Sequence, residues 1–172
     1  MTCIVFRDGV IATDSKIIGR SWHAMGGFAK CGRREVDGKV YLYGATGETA
    51  YSGKFHRWME SDAFVSFITT GEGHPNLEPS ARDEQCTGLI FNPDGSCTRF
   101  EGNYPHYTVT GEYFAFGSGD AVALGALYMG ATAQQAVEAA IEHDVLTNGP
   151  VQFLSNSEAV LEDFKKENAR VA

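Results

Sequence analysis

The chain has 172 residues, of which 43% are hydrophobic and 21% are charged, and its formal net charge at pH 7 is -8. A chain of this length fits one domain, covering residues 1–172, with enough residues to bury a sizeable core. The acidic charge excludes nucleic acid as an expected partner, and no apolar stretch approaches the roughly 20 residues that cross a bilayer. We therefore expect a globular protein that does not enter a membrane.

The start of the chain and its cysteines indicate a cytoplasmic protein with reduced thiols. Asp8 and Asp14 interrupt any apolar core of a secretory signal. The cysteines lack the CxxC spacing of a zinc site, and the histidines lack the HExxH pattern. We therefore expect no metal ion and no cofactor. The cysteines are Cys3, Cys31, Cys86 and Cys97.

The first half of the chain predicts two hairpins and a helix. "TCIVF" and "VIATD" flank an Asp-Gly turn, which is a strong hairpin signal, and a second Asp-Gly turn lies in "RREVDGKVYLYGATG". From Glu48 to Glu60, apolar residues recur at helical spacing and predict a helix with one apolar face. The segment "TTGEGHPNLEPSARDEQ" is rich in Gly, Pro and charge, so we interpret it as a surface loop.

The second half predicts four short strands, two helices and a closing strand. The strands are "CTGLIFN", "SCTRFE", "YTVTG" and "YFAFG". "GDAVALGALYMG" and "AQQAVEAAIEHD" predict Ala-rich helices, the second capped by Thr132, and "VQFL" predicts a strand before a polar helix or frayed end in "SEAVLEDFKKENA". Two antiparallel sheets covered on both outer sides by helices accommodate this order. We therefore predict an α+β fold, a four-layer αββα sandwich.

Thr2 stands at the tip of the first predicted strand and is a candidate nucleophile. If Met1 is removed, Thr2 carries both a hydroxyl and a free α-amine, and a weak hydroxyl nucleophile needs such an adjacent base. The reference pKa of an α-amine is about 7.7 to 8.0, so a useful fraction is unprotonated near neutral pH. Thr is also a common second residue, so Thr2 alone does not establish a catalytic site.

Several motifs, taken in order along the chain, resemble the β-type proteasome subunits and the HslV peptidase, which are N-terminal nucleophile hydrolases. "TCIVF" and "IATDSK" are similar to the family's first two strands, and "AKCGRR" to its lysine before a basic pair. "GATGE", "GSG" and "DVLTNG" match its later motifs. The resemblance covers most of the chain, and "FAFGSGDAVALGAL" looks most like the small proteasome-like proteins of bacteria and their phages.

The resemblance implies a threonine-type peptidase that forms an acyl-enzyme on Thr2. It also implies that Lys30, held by Asp14, stabilises the reacting hydroxyl, and that the backbone N–H of Gly47 binds the oxyanion. The residues implied to orient the amine are Ser118, Asp144 and Thr147, the last standing where the family has Ser. The family's stacked rings imply a homo-oligomer acting on peptide or unfolded protein. An ATPase partner is not indicated either way.

Each of these positions also has a structural interpretation. Asp14 is explained by a turn at a strand end, Lys30 by a solvated strand position, and Ser118 by a helix N-cap. Gly47 is explained by the turn into a helix, and Asp144 and Thr147 are explained by the end of a helix. Two rival functions stay open: a proteasome-like scaffold without activity, and an N-terminal nucleophile amidohydrolase that cleaves a small amide.

Overall fold

The computed structural model describes residues 2–18, 24–77, 86–101 and 105–157. Eleven strands lie in these residues: β1 (Cys3–Arg7), β2 (Val10–Thr13), β3 (Lys16–Ile18), β4 (Ala24–Gly27), β5 (Cys31–Val36), β6 (Lys39–Thr46), β7 (Thr87–Phe91), β8 (Cys97–Glu101), β9 (Tyr107–Val109), β10 (Tyr113–Gly117) and β11 (Gln152–Ser155). Four helices accompany them: α1 (Thr49–Met59), α2 (Asp62–Thr70), α3 (Asp120–Tyr128) and α4 (Ala133–His143). Most of the predicted polar tail, and the second part of the loop before β7, lie outside the described residues.

The first sheet is built around the N-terminal hairpin that the sequence predicts. Its strand order is β10-β1-β2-β11, and every neighbouring pair is antiparallel. β1 and β2 are joined by Asp8 and Gly9, whose φ angles are 51° and 73°. Positive φ at both central residues is what a two-residue type I′ turn requires, which explains the Asp-Gly pair. The pairing aligns Cys3 with Gly117, so β1 begins where β10 ends.

The second sheet has the order β5-β6-β7-β8-β9 and is also antiparallel throughout. The predicted second hairpin joins β5 to β6 through Asp37 and Gly38, again with positive φ angles of 50° and 72°. β3 and β4 form a separate two-stranded ribbon that the sequence pattern does not predict. Strands of three and four residues are too short to show a clear alternation of apolar and polar positions.

Three apolar layers separate the sheets and helices. On β1, Cys3 and Val5 pack with residues of α3 and α4, whereas Ile4 and Phe6 point toward the second sheet. Between the sheets, the ring of Phe6 stacks on that of Phe91 with the centroids 4.5 Å apart. α1 and α2 pack on the outer face of the second sheet, which confirms the predicted four-layer αββα sandwich. None of the helices in the described part of the chain has the length and apolar character needed to cross a bilayer.

The structure confirms three predicted helices and adds a fourth. α1, α3 and α4 lie where the sequence predicts them, and Thr132 caps α4 through a reciprocal capping box with Gln135. α2 is not predicted from the sequence. It begins after Ser61 and ends at Gly71, whose φ of 78° lets the chain leave the helix. Phe64, Phe67 and Ile68 stand at helical spacing and pack on the core, so the sequence does carry a signal for this helix that the prediction does not use.

Candidate active site

Thr2 lies immediately before β1 and is buried. Gly47, which follows β6, and Gly117, at the end of β10, line the same cavity as Thr2. Thr2 is 5% exposed, its backbone N–H donates to Ser118 Oγ at 3.3 Å, and Ser118 Oγ lies 3.4 Å from the Thr2 carbonyl oxygen. Gly117 has a φ of +103°, and a Cβ there would lie 1.9 Å from the Thr2 carbonyl oxygen. Only glycine therefore allows this approach, which brings the Ser118 hydroxyl to the backbone nitrogen of Thr2.

Asp14 connects Lys30 to the residue that follows Thr2. Its fully buried carboxylate accepts from Lys30 Nζ at 2.9 Å through each oxygen. The same carboxylate accepts the backbone N–H of Cys3 at 2.8 Å and that of Lys16 at 3.2 Å. The hairpin register explains the position, because Asp14 directly follows β2 and its own N–H donates to the Cys3 carbonyl at 3.2 Å. The fold thus places a buried ion pair one residue from Thr2.

Lys30 is not the solvated strand lysine of the structural interpretation. It precedes β5 instead of lying in a strand, it is only 4% exposed, and its backbone N–H donates to Gln152 Oε1 at 3.3 Å. Burial lowers the pKa of Lys30 below its ordinary value of 10.5, and the ion pair with Asp14 offsets this only in part. A buried lysine whose pKa is shifted by burial and by one charged partner marks a candidate functional site.

Asp144, Thr147 and Ser118 form a hydrogen-bonded chain that ends at the nitrogen of Thr2. Thr147 Oγ1 donates to Asp144 Oδ2 at 2.5 Å, and the Leu146 N–H donates to Asp144 Oδ1 at 3.3 Å. Burial raises the pKa of Asp144, but the hydrogen bonds from Thr147, Leu146 and Ser118 outweigh it and hold the pKa below its ordinary value. These hydrogen bonds favour the anionic form of Asp144, and one of them comes from the Ser118 hydroxyl whose oxygen accepts the N–H of Thr2.

A cavity of about 400 Å³ opens beside Thr2. Gly47, at the end of β6, lines it together with Thr2 and Ser118. The φ of Gly47 is +97°, and a Cβ on it would lie 2.6 Å from Cys86 Sγ, which also accepts the N–H of Glu48 at 3.3 Å. The glycine that the resemblance assigns to the oxyanion site therefore packs on a buried thiol and borders the cavity that Thr2 borders.

The structure thus brings all seven residues predicted for the site into one region around Thr2: the Asp14–Lys30 pair, the chain of Ser118, Asp144 and Thr147, and Gly47 in the cavity wall. It adds neighbours that the sequence analysis did not single out, above all Arg99 and Phe116 in the wall of the cavity. Arg99 lies on β8 two residues after the buried Cys97, so both side chains are on the same face of the strand. A charged residue on the same face as a buried cysteine is the sequence signal that could have identified Arg99. No cluster of three or more His, Cys, Asp or Glu residues able to hold a metal ion occurs in the described residues.

Comparison with known proteins gives matches at the level of structure. No protein-family model matches the chain, and no curated protein does. The eukaryotic HslV of Trypanosoma brucei superposes with a TM-score of 0.62 at 17% sequence identity, over 90% of this chain and 99% of that one. Anbu, an ancestral beta-subunit from Yersinia bercovieri, superposes with a TM-score of 0.61 at 10% identity, over 99% of this chain and 96% of that one. The chain therefore has an HslV-like sandwich fold.

Proposed function

We propose that the chain hydrolyses peptide bonds with Thr2 as the nucleophile, once Met1 has been removed. The observation that carries this proposal is the Asp14–Lys30 ion pair, buried one residue from a threonine that borders a cavity. A buried ion pair is a costly way to stabilise a fold, because desolvation of both charges offsets much of their attraction. In a reaction that develops negative charge on the Thr2 hydroxyl oxygen, the ammonium of this pair stabilises that charge.

The proposed reaction has two halves that share one base. The Thr2 hydroxyl oxygen attacks the carbonyl carbon, and its proton passes to the α-amine of Thr2. The amine then gives that proton to the leaving nitrogen as the C–N bond breaks, which leaves an ester on Thr2. Water attacks the carbonyl carbon of the ester while the amine accepts a proton from the water. The amine then returns this proton to the Thr2 oxygen as the C–O bond breaks, which regenerates the hydroxyl and releases the acid product.

Two groups in the described site stabilise charge at opposite ends of this step. The Lys30 ammonium, fixed by Asp14, favours the alkoxide character of the attacking oxygen. The backbone N–H of Gly47 is assigned to the carbonyl oxygen as it becomes negative, and loss of one such donor typically raises the barrier by about 3 to 4 kcal/mol. The Ser118 hydroxyl, held by Asp144, orients the amine that carries the proton.

Activity after loss of Met1 tests the nucleophile directly. Intact mass first establishes that Met1 has been removed, and hydrolysis of short fluorogenic peptides is then measured. We expect Thr2→Ala to abolish turnover, Thr2→Ser to retain part of it, and Thr69→Ala, an exposed threonine on α2, to leave it unchanged. A Met1-free chain that hydrolyses none of a varied peptide set, or a Thr2→Ala variant as active as the parent, would overturn the proposal.

We also propose that copies of the chain assemble into a closed homo-oligomeric ring, as the resemblance implies. Large apolar side chains on the α3 and α4 side of the molecule support this: Tyr128 is 80% exposed, Met129 81% and Val145 86%. A contiguous exposed apolar patch marks an interaction site, and Tyr128 and Met129 are adjacent in the chain at the end of α3. Light scattering at micromolar concentration should show a large assembly, and Tyr128→Glu should weaken it. A monomer for the parent chain would contradict the ring.

A further inference from the structure

Arg99 places a guanidinium in the layer between the two sheets, in the wall of the cavity that Thr2 borders. Its carbon Cζ lies 5.0 Å from the centre of the Phe116 ring and 5.3 Å from that of Tyr107. Contact with two aromatic rings holds a planar guanidinium in one orientation. Arg99 lies at the edge of this apolar layer, and its side chain keeps 27% of its surface exposed, so the charge is only partly removed from water.

The hydrogen-bonding capacity of Arg99 is only partly used. One terminal nitrogen pairs with Glu101 Oε1 at 2.5 Å, and Glu101 is itself held by the hydroxyl of Tyr107 at 2.8 Å. Arg99 Nε is buried and has no hydrogen-bond acceptor among the described residues. The neighbours of the guanidinium enclose Nε and fix the group, so the donors that a ligand in the cavity can reach are those of the terminal nitrogens.

We propose that Arg99 forms a carboxylate-binding subsite beside the scissile bond. A guanidinium presents its donors as a planar fork, and a carboxylate is the acceptor that matches this fork with two parallel hydrogen bonds. This subsite rests on the proposed function, because it identifies the substrate class for the same cavity. A volume of about 400 Å³ is near the lower end for ligand pockets, so it accommodates a short segment of substrate.

The other charge in the cavity wall indicates which side of the scissile bond the carboxylate belongs to. Asp120, in the first turn of α3, borders the same cavity two residues after Ser118. Cleavage turns the scissile nitrogen into an amine that gains a proton, and an anion near Ser118 attracts that cation. A leaving group with a new amine at one end and a carboxylate at the other matches Asp120 and Arg99 together. The carboxylate is either a Glu or Asp side chain or a free C-terminus close to the bond.

Matched peptides test the subsite through turnover. A neutral parent peptide is digested, and mass spectrometry locates the bond that is cleaved. Three derivatives are then compared: Gln after that bond with an amidated end, Glu at the same place with an amidated end, and Gln with a free C-terminal carboxylate. We expect kcat/KM at least about tenfold higher for one or both carboxylate peptides, equivalent to about 1.4 kcal/mol. Equal values for all three would overturn the subsite.

Variants show whether any preference depends on the guanidinium. Arg99→Met should abolish the ratio between carboxylate and neutral peptides, and Arg99→Lys should retain only part of it. Arg33 provides a matched control, because it pairs with Glu35 two residues later on β5 at 3.3 Å, as Arg99 does with Glu101. Arg33 is absent from the cavity wall, so Arg33→Met should keep the parent ratio. Thermal melts establish that each variant is folded.

Binding separates failure of the subsite from failure of the proposed function. Met1-free Thr2→Ala is titrated by calorimetry with acetyl-Ala-Ala-Gln-amide, acetyl-Ala-Ala-Glu-amide and acetyl-Ala-Ala-Gln with a free carboxylate. We expect at least about tenfold tighter binding of a carboxylate peptide, lost in Thr2→Ala/Arg99→Met. A carboxylate preference in binding without any hydrolysis by the parent would overturn the peptidase and support the subsite. Hydrolysis with no carboxylate preference in either assay would overturn the subsite and support the peptidase.

Discussion

Replacing Lys30 by Met leaves the Asp14 carboxylate buried without its cation, at nearly constant side-chain volume. At 2.9 Å, an ion pair in a medium of effective dielectric near 20 is worth about 6 kcal/mol of attraction, before desolvation is subtracted. Breaking one side of a buried pair typically costs about 3 to 5 kcal/mol. Asp14 keeps its hydrogen bonds from Cys3 and Lys16, so we expect about 3 kcal/mol less stability for Lys30→Met.

A double-mutant cycle distinguishes a buried pair from two independent polar residues. Lys30→Met with Asp14→Asn buries no charge, so it should be less destabilised than the sum of the two single variants by about 1 to 3 kcal/mol. Peptidase activity should not recover with stability, because the cation is absent from all variants that lack Lys30. Urea unfolding followed by circular dichroism, at fixed protein concentration, measures the stabilities. A loss below about 0.5 kcal/mol for Lys30→Met, the size typical of an exposed residue, would refute this reasoning.

Three further predictions follow from the same site. If the charged form of Lys30 is needed, turnover in a pH–rate profile should fall as Lys30 loses its proton, at a pH below 10.5. Lys30→Arg should lack this alkaline fall, whatever its residual rate, because a guanidinium stays charged. An alkaline fall that is unchanged in Lys30→Arg would contradict the role of the Lys30 charge. Gly117→Ala should lose turnover and at least about 1 to 2 kcal/mol of stability in thermal melts and peptide assays, because the new Cβ meets the Thr2 carbonyl in a left-handed backbone; a fully active variant would contradict this. Because the pKa of Asp144 is lowered on folding, its stabilising effect is present above its unfolded value near 4 and is lost as pH falls through the folded value. Thr147→Val should reduce that acid-linked loss in urea unfolding at pH 3 to 6, and an unaltered pH dependence would argue against the hydrogen bond.

Local signals in the sequence account for the parts of the fold that could be predicted. The two Asp-Gly hairpins follow from two adjacent residues whose positive φ angles fix the turn, without reference to distant contacts. The capping of α4 by Thr132 is equally local, since its partner Gln135 is three residues away. The order of strands and helices then leaves few ways to bury each sheet on both faces, which is why the four-layer arrangement could be inferred.

Partners distant in sequence account for what could not be predicted. Cys86 supports Gly47 across 39 positions of sequence, and no pattern within either segment indicates the contact. Lys30 lies outside any strand, so periodicity gives no orientation for its side chain, and only the resemblance suggested that it meets Asp14. Arg99 stands on the same strand face as the buried Cys97, but the groups that it meets in the cavity wall come from distant segments and do not follow from the pattern of β8.

The two sheets contribute different parts of the proposed reaction. The first sheet supplies Thr2 from β1, Asp14 from the end of β2 and Ser118 from the end of β10, so the hydrolytic groups are fixed by one continuous set of strand pairings. The second sheet supplies Gly47 and Arg99, which line the cavity beside Thr2. Substitutions on the first sheet should therefore lower turnover for every substrate, whereas Arg99 variants should change the ranking of substrates. Lys30, which precedes the second sheet but pairs with Asp14 on the first, joins the two parts, so its loss should affect stability and turnover together.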